Sequence, residues 1–247
     1  MLVTAILSTV LITSVISGIL GMAGGMILMA VLVALLPVAT AMVLHGAVQA
    51  TANGSRAWFL RRHIHWQVLP PYVLGATGAL GIFLAVAFVP HPGLVLLTLG
   101  ALTWLGRLLP GLRGMNICQK PTAVACGVVI TAAQLLAGAS GPLLDLFYLN
   151  APLDRHQVVA TKALTQTLGH LVKLGYYGAI GVSVGQLPAD ATLVGGAAVL
   201  AAIAGTRIGT RLLDRVPEAA FRRASSWVIL TIATVCVASG VAQLVNG

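Results

Sequence analysis

Six polar side chains recur at intervals of four in two apolar stretches: His45, Gln49 and Asn53 in the first, Lys162, Gln166 and His170 in the second. Residues four apart share one face of a helix, so each set forms a stripe. The stripes carry hydrogen-bond donors and an ammonium but no carboxylate, a combination suited to holding an anion. Gln49 and Gln166 are the firmest candidates, because they occupy matching places in the two stripes.

Two glycine clusters precede the stripes. Gly21, Gly24 and Gly25 interrupt an apolar run that begins at Met1, and Gly138, Ser140 and Gly141 interrupt another. Glycine inside a helix is unfavourable by about 1 kcal/mol relative to alanine, so a continuous helix is least stable at these points. A half-helix starting after such a break offers unpaired N–H groups and the positive end of its dipole, both suited to an anion. Gly24, Gly25, Ser140 and Gly141 are therefore candidate backbone donors; the plainer reading is that small residues let helices approach closely.

The surroundings of these residues are set by composition. Hydrophobic residues make up 58% of the 247 and charged ones 8%, and Met1–Ser55 contains no Lys, Arg, Asp or Glu. Further uncharged stretches, 63–106, 121–144 and 224–247, each exceed the roughly 20 residues that cross a hydrocarbon core. This predicts an all-α, polytopic helical membrane protein without a sizeable extramembrane domain. The first run lacks the basic n-region of a cleaved signal peptide. The net charge of +9 is read as a topology determinant and not as a nucleic-acid surface, since no aromatic-basic interleaving accompanies it. Cys118, Cys126 and Cys236 lack paired or metal-ligand spacing and are read as free thiols. In lipid, two registered polar stripes are costly to keep as mere interhelical glue, which favours a binding role.

The chain reads as two repeats. At an offset of 117, Gly21 matches Gly138, Gly24 matches Gly141, Leu32 matches Leu149, Leu36 matches Leu153 and Gln49 matches Gln166. His45 then falls on Lys162 and Asn53 on His170. The predicted organisation is a first repeat over 1–110 (a broken helix and spans at about 39–60, 68–89 and 94–109), a basic linker over 111–120, and a second repeat over 121–247. Gly75, Gly78 and Gly81 are expected to allow close packing of the 68–89 span. Charge bears on topology. If each broken element crosses the membrane once, the basic clusters Arg56–Arg62 and Arg211–Arg223 fall on opposite sides. If each is a re-entrant hairpin, these and Arg107–Lys120 all face the cytoplasm, which the positive-inside tendency favours; eight full spans are the alternative.

Asp145 lies close behind the second break, where a carboxylate would either carry a proton for coupling or pair with Lys162. Lys162 itself would either reach the site or snorkel to the surface. His156 and His170 could titrate near neutrality, although a satisfied histidine is the commoner case. Arg207 and Arg211 are read as marking the end of a span. No catalytic motif, metal-ligand set or cofactor loop is present, so neither an enzyme nor a cofactor is expected.

The segments Gly18–Gly25, His45–Arg56, Arg61–Trp66, Gly141–Phe147, Val159–Gln166 and His170–Tyr176 resemble those of the sulfite exporter TauE/SafE family of bacterial membrane permeases. That resemblance covers nearly the whole chain and implies a multi-pass protein of the bacterial inner membrane that moves sulfur-containing anions such as sulfite, sulfonates, sulfoacetate or thiosulfate. The expectation is a secondary transporter whose partners are a small anion and membrane lipid, with no nucleic acid and with homo-oligomerisation left open. An anion channel and a membrane-integral factor of sulfur metabolism are the alternatives.

Overall fold

The computed structural model describes residues 2–20, 23–108, 115–183, 191–213 and 218–246. The described residues form ten α-helices: α1 (Leu2–Leu20), α2 (Ala23–Leu35), α3 (Val38–Phe59), α4 (Leu69–Val86), α5 (Pro92–Leu108), α6 (Lys120–Ala137), α7 (Gly141–Tyr148), α8 (Arg155–Ser183), α9 (Ala191–Leu213) and α10 (Glu218–Asn246). Two short 3-10 turns, Arg61–His63 and Trp66–Val68, join α3 to α4. Proline sets several of the starts: Pro37 precedes α3, and the first turns of α4, α6 and α7 contain proline, where its fixed φ fits and its missing N–H is not needed. Most of the expected turn at 182–190 and the first part of the 111–120 linker, 111–114, lie outside the described residues.

Both broken elements double back. Gly24 packs against the backbone of Thr13 and Ser17, whereas in one straight helix residues 13 and 24 would lie about 16 Å apart along the axis. In the second element α6 ends at Gly138, whose φ of +75° is open to glycine at little strain. The chain then returns, and the Ile117 N–H donates to the Phe147 carbonyl at 2.9 Å.

The helices α3 and α8, which carry the two stripes, cross at the centre and run antiparallel: Gly46 lies against His170 and Leu174, and Gly54 against Thr167. α5 and α10 are likewise antiparallel, with Gly93 against Gly240 and Leu244, and Gly100 against Ala233 and Val237. α1 packs on α9 and α4 on α6, completing the four most extensive helix pairs. Every one of these pairs joins a helix before the linker to one after it, so the sequence halves are interleaved rather than side by side. Glycine sets the closeness of α4 and α6, since a Cβ at Gly75 would meet the Val124 carbonyl and one at Gly127 the Tyr72 carbonyl. Gly78 and Gly81, expected to share that role, face open space instead.

Among the described residues, four helices are long and apolar enough to cross a membrane, over Trp66–Val86, Lys120–Ala137, Thr192–Gly209 and Ser226–Asn246. Their outer faces expose large apolar side chains, among them Leu74, Ile82, Leu200, Trp227 and Val235, as lipid contact requires. Several of the described basic residues gather at one end of the bundle. There the His63 and His156 rings lie 5.2 Å apart, the His65 N–H donates to Thr161 Oγ1, and Arg56, Arg207 and Arg211 border one hollow. Ile117, three residues from Lys120, shares a core with Val68 at the same end. At the opposite end the Tyr176 hydroxyl donates to the Phe88 carbonyl, and Gly93 meets Gly240.

At the basic end Asp154 caps α8, its carboxylate accepting the N–H groups of His156 and Gln157. The bond from Gln157, followed by that from His156, holds this carboxyl below its ordinary value.

Candidate functional site

Where the two breaks meet α3 and α8, the bundle forms a cavity of about 70 Å³. One water needs on the order of 10–15 Å³ by the same measure, so the space suits a few waters or one small oxyanion. Its walls include Gly25, His45, Gln49, Asn53, Ser140, Gly141, Gln166 and His170, eight of the residues singled out from sequence. Among the described residues no carboxylate lines it, and Arg56 does.

Three sequence candidates fall elsewhere. Gly24 packs on α1, where a Cβ would run into Thr13 and Ser17. Lys162 donates to Asp145 Oδ1 in an ion pair, and neither lines the cavity. Of the two roles weighed for Asp145, the geometry shows the pairing, which gives both charges a partner and draws the ammonium away from the centre.

The lysine that does approach the centre is Lys173, which sequence reasoning passed over. It is fully buried and donates to the Gly138 carbonyl and to His45 Nδ1, each at 2.7 Å. His45 Nε2 lies 3.0 Å from the Gly25 carbonyl. A carbonyl only accepts, so the proton sits on Nε2 and the neutral ring accepts from Lys173 at Nδ1. The result is a hydrogen-bonded chain, Gly138 carbonyl to Lys173 to His45 to Gly25 carbonyl, that ties one glycine break to the other. Gly138 caps α6, so its carbonyl is one of the helix-end acceptors that need an outside donor. Tyr177, one turn beyond Lys173, donates to Leu135 in the same last turn.

Packing brings the breaks together as closely as the polar chain does. Met29 of α2 lies against Gly138, and the Gln49 amide nitrogen lies against Gly25, at a distance that leaves no room for a Cβ. The His45 and His170 rings are 5.6 Å apart. Ser140 Oγ and His170 Nδ1 are buried at the cavity wall with no protein hydrogen-bond partner. Buried polar atoms are ordinarily satisfied, so two exceptions at one wall mark it as a surface for a polar guest. The sequence did hold a signal for the missed cation. Arg56 and Lys173 are separated by the repeat offset of 117, each three residues beyond the end of a stripe.

Residues 6–235 match the model of the family described as Sulfite exporter TauE/SafE. The chain belongs to that family. No curated protein and no solved structure matches it. Membership in TauE/SafE implies a membrane transporter of sulfur-containing anions, and it is a transporter family, not an enzyme family. For a TauE/SafE member the cavity has apt chemistry: donors, a guanidinium and no opposing carboxylate in a space of oxyanion size. No group of His, Cys, Asp and Glu that could hold a metal ion occurs among the described residues.

Proposed function

We propose that this chain is a secondary transporter that moves a small sulfur oxyanion or sulfonate across the bacterial inner membrane, binding it in the cavity between the two glycine breaks. The observation that carries the reading is the convergence of donors from both stripes and both breaks on one cavity without a carboxylate. Backbone donors near Gly25, Ser140 and Gly141 would hold oxygens, with Gln49, Gln166, His45, Asn53, His170 and Arg56 completing the shell and Lys173 supplying charge from behind.

Two inverted repeats with re-entrant broken elements are part of this reading. Supporting it are the antiparallel crossing of α3 and α8, the doubling back of both broken elements, and the gathering of Arg56, Lys120 and Arg207 regions at one end. The bodies that move during transport would combine helices from before and after the linker, because the largest packing faces join them.

The direct test is flux of labelled sulfite, sulfonates and carboxylates into proteoliposomes. Gln166→Leu is expected to abolish flux while the protein still purifies folded, because it removes two hydrogen-bonding groups from the cavity wall. Unchanged flux in that variant would sink the reading, and unsaturable single-channel currents would replace the transporter with a channel.

A further inference from the structure

A second hollow, of about 640 Å³, opens beside the small cavity between the basic end of α3 and the facing part of α9. Its wall has two characters. Arg56, Arg207 and Arg211 supply three guanidinium groups, while Phe59, Leu60 and Ile203 supply an apolar flank. No carboxylate lines it among the described residues. Arg56 lines both hollows, so the two adjoin at that residue. They differ greatly in capacity. The inner one has room for little more than an oxyanion head, whereas the outer falls within the roughly 300–1,000 Å³ of sites that hold small organic molecules.

We propose that the outer hollow is a second anion site, which takes organic anions made of an oxyanion head and a short apolar tail. The head sits on Arg56, with Arg207 and Arg211 beside it, and the tail lies along Phe59, Leu60 and Ile203. A planar guanidinium fork matches a three-oxygen head, and the apolar flank rewards each methylene withdrawn from water. Once its tail runs to several carbons, unlike sulfite or the smallest sulfonates, such an anion is too long for the inner cavity. It occupies the junction without advancing and therefore blocks small-anion transport. Arginines that only fixed the orientation of α9 would be indifferent to the tail of any anion. The phosphate of an anionic lipid offers similar head chemistry, so the test has to separate the two sources.

Inhibition of transport rests on the function proposed above, whereas binding does not, and the experiment reads both. Methane-, propane- and pentanesulfonate are titrated into the full-length protein in phosphatidylcholine nanodiscs, and each is also tested against sulfite flux in proteoliposomes. Affinity is expected to rise about two- to fourfold per methylene. Arg207→Gln combined with Arg211→Gln is expected to weaken pentanesulfonate at least tenfold. Gln166→Leu is expected to leave pentanesulfonate binding within about threefold while sulfite binding is lost. Affinity that is flat with chain length, or unmoved by the paired arginine substitution, overturns the proposal. So does loss of pentanesulfonate binding when phosphatidylglycerol is added to the nanodiscs, since the hollow would then belong to lipid headgroups. If no sulfite flux is found, the transport reading falls while the titrations still decide the outer site.

Discussion

Lys173 is held by two acceptors, a helix-end carbonyl and an imidazole nitrogen. Replacing it with methionine keeps most of its length and removes both bonds. Each buried polar group left unsatisfied is unfavourable by about 1–3 kcal/mol, so Lys173→Met should lower the melting temperature of the purified protein and weaken anion binding together. An unchanged melt would mean that the link between the breaks contributes nothing to their positions. The Lys162–Asp145 pair leads to a different expectation. Lys162→Met and Asp145→Asn should each destabilise, the double variant should recover part of the loss, and the coupling should fall in the range of about 0.5–3 kcal/mol. Because neither residue reaches the cavity, sulfite affinity in the double variant should stay near wild type. A double variant that folds but loses the pH dependence of transport would restore Asp145 as a proton carrier. These two lysines also show where sequence reading stopped. A four-residue interval brings out Lys162, while Lys173, three residues past His170, falls outside the count although it shares the face.

At the level of single helices, the broad plan was legible because its signals are local. Apolar runs closed by proline or arginine gave α3, α4 and α5 to within three residues, and clustered small residues marked both breaks. What each glycine does was not legible, because that depends on which partner crosses it. Gly75 and Gly78 are indistinguishable in a GxxG spacing, yet one is pressed against Val124 and the other meets nothing. A matched pair of substitutions exposes the difference. Gly127→Ala places a methyl on the Tyr72 carbonyl and should be unfavourable by about 1–3 kcal/mol as α4 and α6 are forced apart. Gly78→Ala, made in open space, should leave the melting temperature unchanged or raise it slightly. Equal effects of the two would mean that glycine in this seam serves no packing purpose.

At the level of the whole molecule, the interleaving of helices from before and after the linker was not visible in a sequence that reads as two successive units. Repeat matching identifies which segments correspond and says nothing about which ones touch. In the fold α1 lies on α9, α4 on α6, α3 on α8 and α5 on α10. Each half thus leaves its main packing faces uncovered unless the other is present. Cutting the chain within 111–114 and expressing the pieces alone should give two insoluble or degraded fragments, whereas expressing them together should yield a complex that co-purifies through a tag on either one. Two fragments that each fold alone would contradict the interleaving.

The same exchange of partners has a historical consequence. If the halves arose by duplication and are inverted as proposed above, the ancestral single unit could have covered those faces with a second copy of itself, inserted upside down. Its gene would have had to produce one polypeptide that enters the membrane in both orientations, which requires a nearly even balance of arginine and lysine between its two sides. Fusion would have removed that requirement by giving each orientation its own stretch of chain, and would have left Arg56 and Lys173 free to diverge into two different cations at one ancestral position.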